Sequence, residues 1–379
     1  MTTSIRLLRL SAHGLGARRF PSVADCVRAM GALQAQDYPA GLWAVGVRTA
    51  GATEAAVEAA ISGRQLVRTW PMRGTLHLIP AEDARWMLAL TAQRGIAKAQ
   101  GRLRQLGIDN GVLSASREAL ARSLAGGRRL TRPQAHETLA AAGIPTDRQR
   151  GIHILNQLAQ EAFLCLGPRE GRQHTWVLFD EWLPEAGARP RDESLATLAG
   201  RYFRGHGPAT ARDFAWWTGL TLAEASRGLE MAAGSLASLE RAGVRYWHAP
   251  DAEPAPATAT ALLPPFDEYI LGYRDRTTSL EADGLARVFP RANGMFLAAA
   301  LIDGEISATW AKSVRSHDAV SIELRPWRAL PAGSASRLED AMARYAEFLG
   351  AERPSVVVRP PEDVSGPTGD GPRAGQPGP

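Results

Sequence analysis

Residues 131–182, TRPQAHETLAAAGIPTDRQRGIHILNQLAQEAFLCLGPREGRQHTWVLFDEW, decide the fold. Thr131 caps a helix with Ala135, Leu139 and Ala142 on one face, and Gly143 ends it. Pro145 turns the chain, and Asp147 opens a second helix with Ile152, Leu155, Ala159 and Ala162 apolar. The opposite face carries Arg148, Gln149, Arg150, His153, Gln157 and Gln160. Phe163–Leu166 and Thr175–Phe179 read as strands flanking a Gly-Pro-Arg-Glu-Gly-Arg loop. With the helix expected over Ser114–Leu124, this is three helices and a hairpin, the order of a winged helix. An arginine-bearing third helix is what a recognition helix presents to DNA, although a merely solvated face reads the same way.

Upstream, the same order is expected. Ile5, Leu7, Leu8 and Leu10 open a short helix. Ser22 caps the next one, which Pro39 and Gly41 stop, and Glu54–Ile61 is a third, ended by Gly63. Arg64–Trp70 and Gly74–Ile79 are strands around Pro71-Met72-Arg73. Downstream, Leu195–Phe203 is helical, Thr210 with Asp213 and Thr221 with Glu224 are capping boxes, and Val244–His248 begins a wing-like strand. Beyond a Pro/Ala linker at Asp251–Ala259, the pattern changes to strands at Ala261–Leu263, Met295–Ile302, Glu305–Trp310, Ala319–Leu324 and Ser355–Val358. One helix, Ser336–Leu349, lies among them, and Asp303-Gly304 carries a type I′ hairpin signal. The expected fold class is therefore α+β: three tandem winged-helix units (1–95, 96–190, 191–257) and a small C-terminal β domain (258–359). The Pro- and Gly-rich tail, 360–379, is expected to be disordered.

Charge is divided unevenly along the 379 residues. Residues 1–150 hold 21 Arg/Lys against 10 Asp/Glu, a net of +11, whereas the remainder nets −6. A concentrated cationic half fits a polyanion, with nucleic acid first. Cys26 and Cys165 are the only cysteines, and no CxxC, HxH or HExxH occurs, which argues against a zinc ribbon, a disulfide scaffold or any metal site. Neither a membrane span nor an N-terminal signal is visible, so a reducing, cytoplasmic setting is expected. Lysine occurs only at Lys98 and Lys312, a bias that base composition explains, yet it leaves few amine nucleophiles.

Gln34 and Gln36 lie where the chain leaves a helix, and in extended geometry residues i and i+2 project to one side. Two amides can then converge on a water or a sugar oxygen, although a Q-x-Q triplet at a helix end also occurs as incidental capping. Leu33–Gly41, Arg68-Thr69-Trp70-Pro71-Met72-Arg73-Gly74-Thr75-Leu76-His77, Leu262–Asp267 with Arg274-Asp275-Arg276, and Gly304–Lys312 together resemble the winged-helix crosslink-repair DNA glycosylases, the AlkZ-like family. The resemblance spans about residues 3–358. It implies three winged helices forming a concave DNA channel and hydrolysis of the N-glycosidic bond of N7-alkylated purines, crosslinked ones included. It also implies that Gln34 and Gln36 are the catalytic pair, in the azinomycin-type Q-x-Q branch.

An N7-alkylated guanine already carries positive charge and leaves without a general acid. What remains is to hold a water beneath C1′ and to face an oxocarbenium-like transition state. A Gln carbonyl oxygen accepts a hydrogen bond but takes no proton, so orientation must do the work. The expectation is a monofunctional, cofactor-free monomer acting on double-stranded DNA with alkylated or crosslinked purines. Arg68, Arg73, His77, Arg148, Arg150, Arg274 and Arg276 are its candidate DNA contacts, with packing or pairing as the alternative for the first three and locking of the β domain to the channel for the last two. Arg94, Lys98, Arg102 and Arg104 form a second cationic run. The rival reading is a non-catalytic winged-helix DNA-binding protein, a transcription regulator or lesion shield. A regulator usually reads two half-sites as a symmetric dimer, which three unlike units in one chain do not suit.

Overall fold

The computed structural model describes residues 4–16, 19–290, 294–316, 319–351 and 353–358. The tail at 360–379, expected to be disordered, lies outside the described residues. The chain begins with α1 (Ile5–Ala12), α2 (Val23–Met30), β1 (Leu33–Gln34), α3 (Tyr38–Gly46), α4 (Glu54–Ser62), β2 (Leu66–Met72) and β3 (Thr75–Pro80). It continues with α5 (Ala84–Thr91), α6 (Gln93–Gln105), α7 (Asn110–Leu124), β4 (Leu130–Thr131), α8 (Arg132–Ala141), α9 (Arg150–Gln160), β5 (Leu164–Leu166), β6 (Thr175–Leu178) and α10 (Phe179–Trp182). Next come α11 (Arg191–Gly205), α12 (Ala211–Thr218), α13 (Leu222–Ala232), β7 (Ala237–Arg241) and β8 (Val244–His248). The last part holds β9 (Ala261–Leu263), α14 (Glu268–Leu271), α15 (Ala282–Val288), β10 (Ala299–Ile302), β11 (Glu305–Ser316), β12 (Ala319–Pro326), α16 (Ser334–Phe348) and β13 (Arg353–Val358). The architecture is α+β, as expected.

The capping signals act as their chemistry demands. Ser22 accepts the Asp25 N–H, Thr131 and Gln134 form a capping box, and so do the pairs Thr210/Asp213 and Thr221/Glu224. Arg73-Gly74, Ala242-Gly243 and Asp303-Gly304 all have positive φ at both residues, the two-residue turn that matches strand twist.

Two local expectations are corrected. Pro39 and Gly41 do not stop a helix: Met30 ends α2, and Pro39 occupies the first turn of α3, where its missing N–H costs nothing. Asp147 does not open α9. Arg148 and Gln149 are left-handed (φ 47° and 72°), and the helix starts at Arg150. Nor is the polar face of α9 all solvated, since Gln157 and Gln160 are buried.

The six-stranded sheet runs β1-β3-β2-β5-β6-β4. Read from either end, this is first, third, second strand, then second, third, first. Two wings thus join edge to edge through the antiparallel β2–β5 pair at Arg68 and Leu166. Trp70 and Trp176 stack across the junction, 5.6 Å apart and within 3° of parallel. The strands of the C-terminal part form a second sheet, β13-β12-β11-β10-β9. Its core is continuous with that of the first helices. Trp43 of α3 packs on Tyr345 and Phe348 of α16, with centroids 4.8 and 5.0 Å away. The Trp43 and Trp310 indoles donate to the β9 carbonyls of Leu262 and Leu263. Each such aromatic burial contributes roughly 1.5–3 kcal/mol, so the C-terminal part is welded to the segment that carries the glutamines.

Candidate active site

Leu33 pairs with Leu78 and Gln34 with His77, both on β3. The ladder continues one step, with the Ala35 N–H donating to the Leu76 carbonyl. The reciprocal bond is missing. The Ala35 carbonyl accepts from Arg68 Nε at 2.8 Å instead, and the orphaned Leu76 N–H donates to Gln36 Oε1 at 3.1 Å. Gln36 therefore folds back to patch the sheet, where extended geometry predicted that it would stand beside Gln34.

Gln34 and His77 form the non-hydrogen-bonded type of antiparallel pair, in which Cα atoms approach to about 4.5 Å and side chains neighbour each other. Gln34 Oε1 is buried and has no hydrogen-bond partner. A buried amide oxygen left unpaired costs about 1–3 kcal/mol; this atom shares that state with Asn156 Oδ1 and Gln157 Oε1 but is the one within the triplet. Its own backbone N–H points off the sheet edge and donates to Glu268 Oε1 at 3.1 Å.

His77 Nδ1 donates to the Thr75 carbonyl at 2.9 Å, and the Arg73 guanidinium approaches Nε2 at 3.5 Å. Burial, aided by the Arg73 charge, lowers the imidazole pKa to about 4. The folded protein holds it neutral, whereas the unfolded chain takes up the proton near 6.5. Between those values the unfolded state binds more protons, so stability falls as pH drops from about 6.5 to 4. Thermal melts at pH 7 and pH 4.5 should show that loss, and His77→Gln should lose less on the same acidification.

Arg68 and His77 were expected to face DNA, and the structure turns both inward. Arg68 is 4% exposed, and its guanidinium donates to the Ala35 and Gln36 carbonyls and meets His174 Nε2 at 2.9 Å. It braces the triplet and is not on the surface. Arg73 is half-buried in the wing turn. Arg150 donates to the carbonyls of Pro145 and Leu106, closing the end of α6. Arg276 donates to the Ile270 carbonyl and covers the Trp216 ring. Arg148 and Arg274 are exposed.

Two cavities flank the triplet. One, of about 650 Å³, is lined by Gln36, Arg68, Trp70, Arg132, Arg172 and His174, among others. Arg132 and Arg172 are exposed there, cations that sequence reasoning passed over. The other, of about 360 Å³, has Asp37 and Lys312 on its wall beside Trp43, Phe266, Trp310 and Tyr345. Lys312, far from the triplet in sequence, is brought by the fold to this neighbouring cavity. Asp37, next to the triplet, caps α3 by accepting the Ala40 N–H.

Gly41 lets α3 lie against the triplet. A Cβ there would sit 2.5 Å from Ala35 Cβ and 2.8 Å from Ala35 Cα, closer than atoms can come. Gly41→Ala must displace the residue between the two glutamines. The expected result is about 1–3 kcal/mol of destabilisation together with a loss of activity. A melt and an activity assay check it against Gly101→Ala, whose Cβ would meet nothing.

Among the described residues, no group of three or more His, Cys, Asp or Glu could hold a metal ion, and no helix is long and apolar enough to cross a membrane. Cys26 is buried, its thiol pushed up to about 12 by burial, so it supplies no thiolate.

Gln34 thus sits on the edge strand, and Gln36, just beyond it and braced by the buried Arg68, lines the arginine-bearing cavity. Residues 27–348 match the family described as AlkZ-like DNA glycosylase. The chain belongs to this family; it is a DNA glycosylase of winged-helix fold, an enzyme that hydrolyses N-glycosyl bonds. It is 27% identical over 318 residues to an interstrand DNA cross-link repair glycosylase of Streptomyces sahachiroi, covering 80% of this chain and 85% of that one. The structure of the Streptomyces sahachiroi DNA glycosylase AlkZ superposes with a TM-score of 0.78 at 25% identity, covering 95% of this chain and all of that one.

Proposed function

We propose that the protein excises N7-alkylated purines from double-stranded DNA, crosslinked ones included, as a monofunctional glycosylase of the Q-x-Q branch. The observation that carries this reading is the buried, unpartnered Gln34 Oε1 beside a neutral His77. The amide oxygen accepts a hydrogen bond from the attacking water and faces the positive charge that develops at C1′. The base leaves as a neutral N7-alkylpurine, and the water's proton passes to solvent once the bond to C1′ forms, because Gln cannot hold it. Gln36 takes the supporting part: it fixes β1 to β3 through Leu76 and keeps Gln34 in place. Orientation of this kind can supply several powers of ten in rate without a base.

DNA is bound along a channel formed by three winged helices (1–95, 96–190, 191–257) and the β domain (258–359). With Arg68, His77 and Arg150 engaged inside the protein, phosphate contacts fall to the exposed Arg132 and Arg172, with Arg148, Arg274 and the cations of α6. The test is incubation with N7-methylguanine-containing and crosslinked duplexes, scoring free base and abasic strand. Release of base supports the reading; intact lesions in DNA that the protein still binds would favour the regulator or shield instead. Borohydride traps a Schiff base only if an amine attacks C1′. With Lys312 in the adjoining cavity, a trapped adduct lost in Lys312→Met would replace water with that amine.

A further inference from the structure

The triplet has no carboxylate, yet a buried carboxylate lies against it. Glu268 comes 234 residues later in the chain, is 1% exposed, and uses both oxygens. Oε1 accepts the Gln34 N–H at 3.1 Å and Oε2 accepts the Trp217 indole N–H at 2.9 Å. The Gln34 N–H lies on the open edge of the sheet, where any neutral acceptor would have satisfied it. Burying an ion for that purpose is expensive unless the charge has a use.

Nor is the charge neutralised by a strong pair. Within the described residues no cation touches it directly: the buried His206 imidazole lies with Nε2 3.8 Å from Oε2, and the charge of Arg73 reaches it from further off. Burial alone would raise the carboxyl pKa, but these groups outweigh it and hold it near 2, so Glu268 is ionised at neutral pH. The neighbouring Asp267, by contrast, is matched two-to-two by Arg48 at 2.7 and 2.8 Å. Two adjacent acids thus have separate tasks, one locking the core and one charging the edge of β1.

We propose that Glu268 is a positioning residue for the glycosylase reaction, its buried carboxylate fixing Gln34 through the backbone N–H and supplying the negative field that the two glutamines lack. The field is oriented before substrate arrives and is felt most where positive charge develops at the sugar, which selects for the transition state over the ground state. This rests on the glycosylase reading given above.

Glu268→Gln alone is a poor test, because its amide would meet the Trp217 N–H donor to donor. The informative variant is Glu268→Gln/Trp217→Phe, which removes charge and conflict together while its Oε1 still accepts from Gln34, and it is compared with Trp217→Phe alone. The readouts are melting temperature and single-turnover kcat and KM on an N7-methylguanine duplex. The expected result is similar melting temperature and KM for the two variants, with kcat at least ten-fold lower in the double variant. A purely structural Glu268 predicts equal kcat in both, and that outcome overturns the proposal. Wild-type protein that releases no base overturns the glycosylase reading and this proposal with it; wild-type release with equal kcat in the two variants overturns this proposal alone.

Discussion

Gln34→Ala is expected to lower the rate of base release by roughly 10²–10³-fold, the scale seen when one preorganised polar group is removed from a transition state. KM should stay nearly unchanged, because a water-orienting interaction is made in the reaction and not in DNA binding. Folding should be unaffected or slightly improved, since the variant deletes a buried oxygen that has no partner. Gln36→Ala should behave differently. It strips the acceptor from the Leu76 N–H, so it should cost about 1 kcal/mol as well as activity. Single-turnover kinetics with melts on both variants separate the two parts. If Gln34→Ala released base at the wild-type rate while Gln36→Ala did not, the reacting amide would be Gln36.

The second large effect concerns stability. Arg48 and Asp267 are both fully buried and joined by two hydrogen bonds, at 2.7 and 2.8 Å. Arg48 also donates to the Ala44 carbonyl, and Asp267 accepts the Tyr269 N–H, so the pair ties the end of α3 to the start of α14. Asp267→Ala leaves a guanidinium in a dry interior and should destabilise by about 3–5 kcal/mol. Against a total of about 5–15 kcal/mol, that is a large share. Arg48→Met/Asp267→Leu removes both charges and should recover part of the loss, because no buried charge is left unpaired while the Tyr269 N–H still loses its acceptor. Urea unfolding of the single and double variants checks this, and a double variant no more stable than Asp267→Ala would contradict it.

Helix caps and tight turns were legible because their chemistry is local. Ser22, Thr210, Thr221 and the Asp303-Gly304 turn each signal within four residues what the backbone does there. Pro39 misled because proline marks both the end of one helix and the first turn of the next; Asp37 two residues earlier was the cue that distinguishes them. The fused sheet was invisible, because β2 and β5 meet at one residue pair and no periodicity encodes which strand lies beside which. The glutamines themselves were visible as candidates, without the turn that carries Gln36 back to Leu76. Their supports were not. Arg68 read as a surface cation because most arginines are, and Glu268 had no local feature to set it apart. Both act across long sequence separations, which only the fold reveals.

That separation has a temporal side. The strand carrying Gln34 is synthesised well before the carboxylate that holds its edge, which is 234 residues later. The partners of Trp43, on the helix that follows this strand, are later still, at Tyr345 and Phe348. At about 5–20 residues per second, synthesis leaves the glutamines without these partners for tens of seconds. A nascent or truncated chain can therefore present the basic N-terminal half to nucleic acid before it has a finished reaction centre. The reaction centre proposed above is complete only once Glu268 and the helix α16 have both been made.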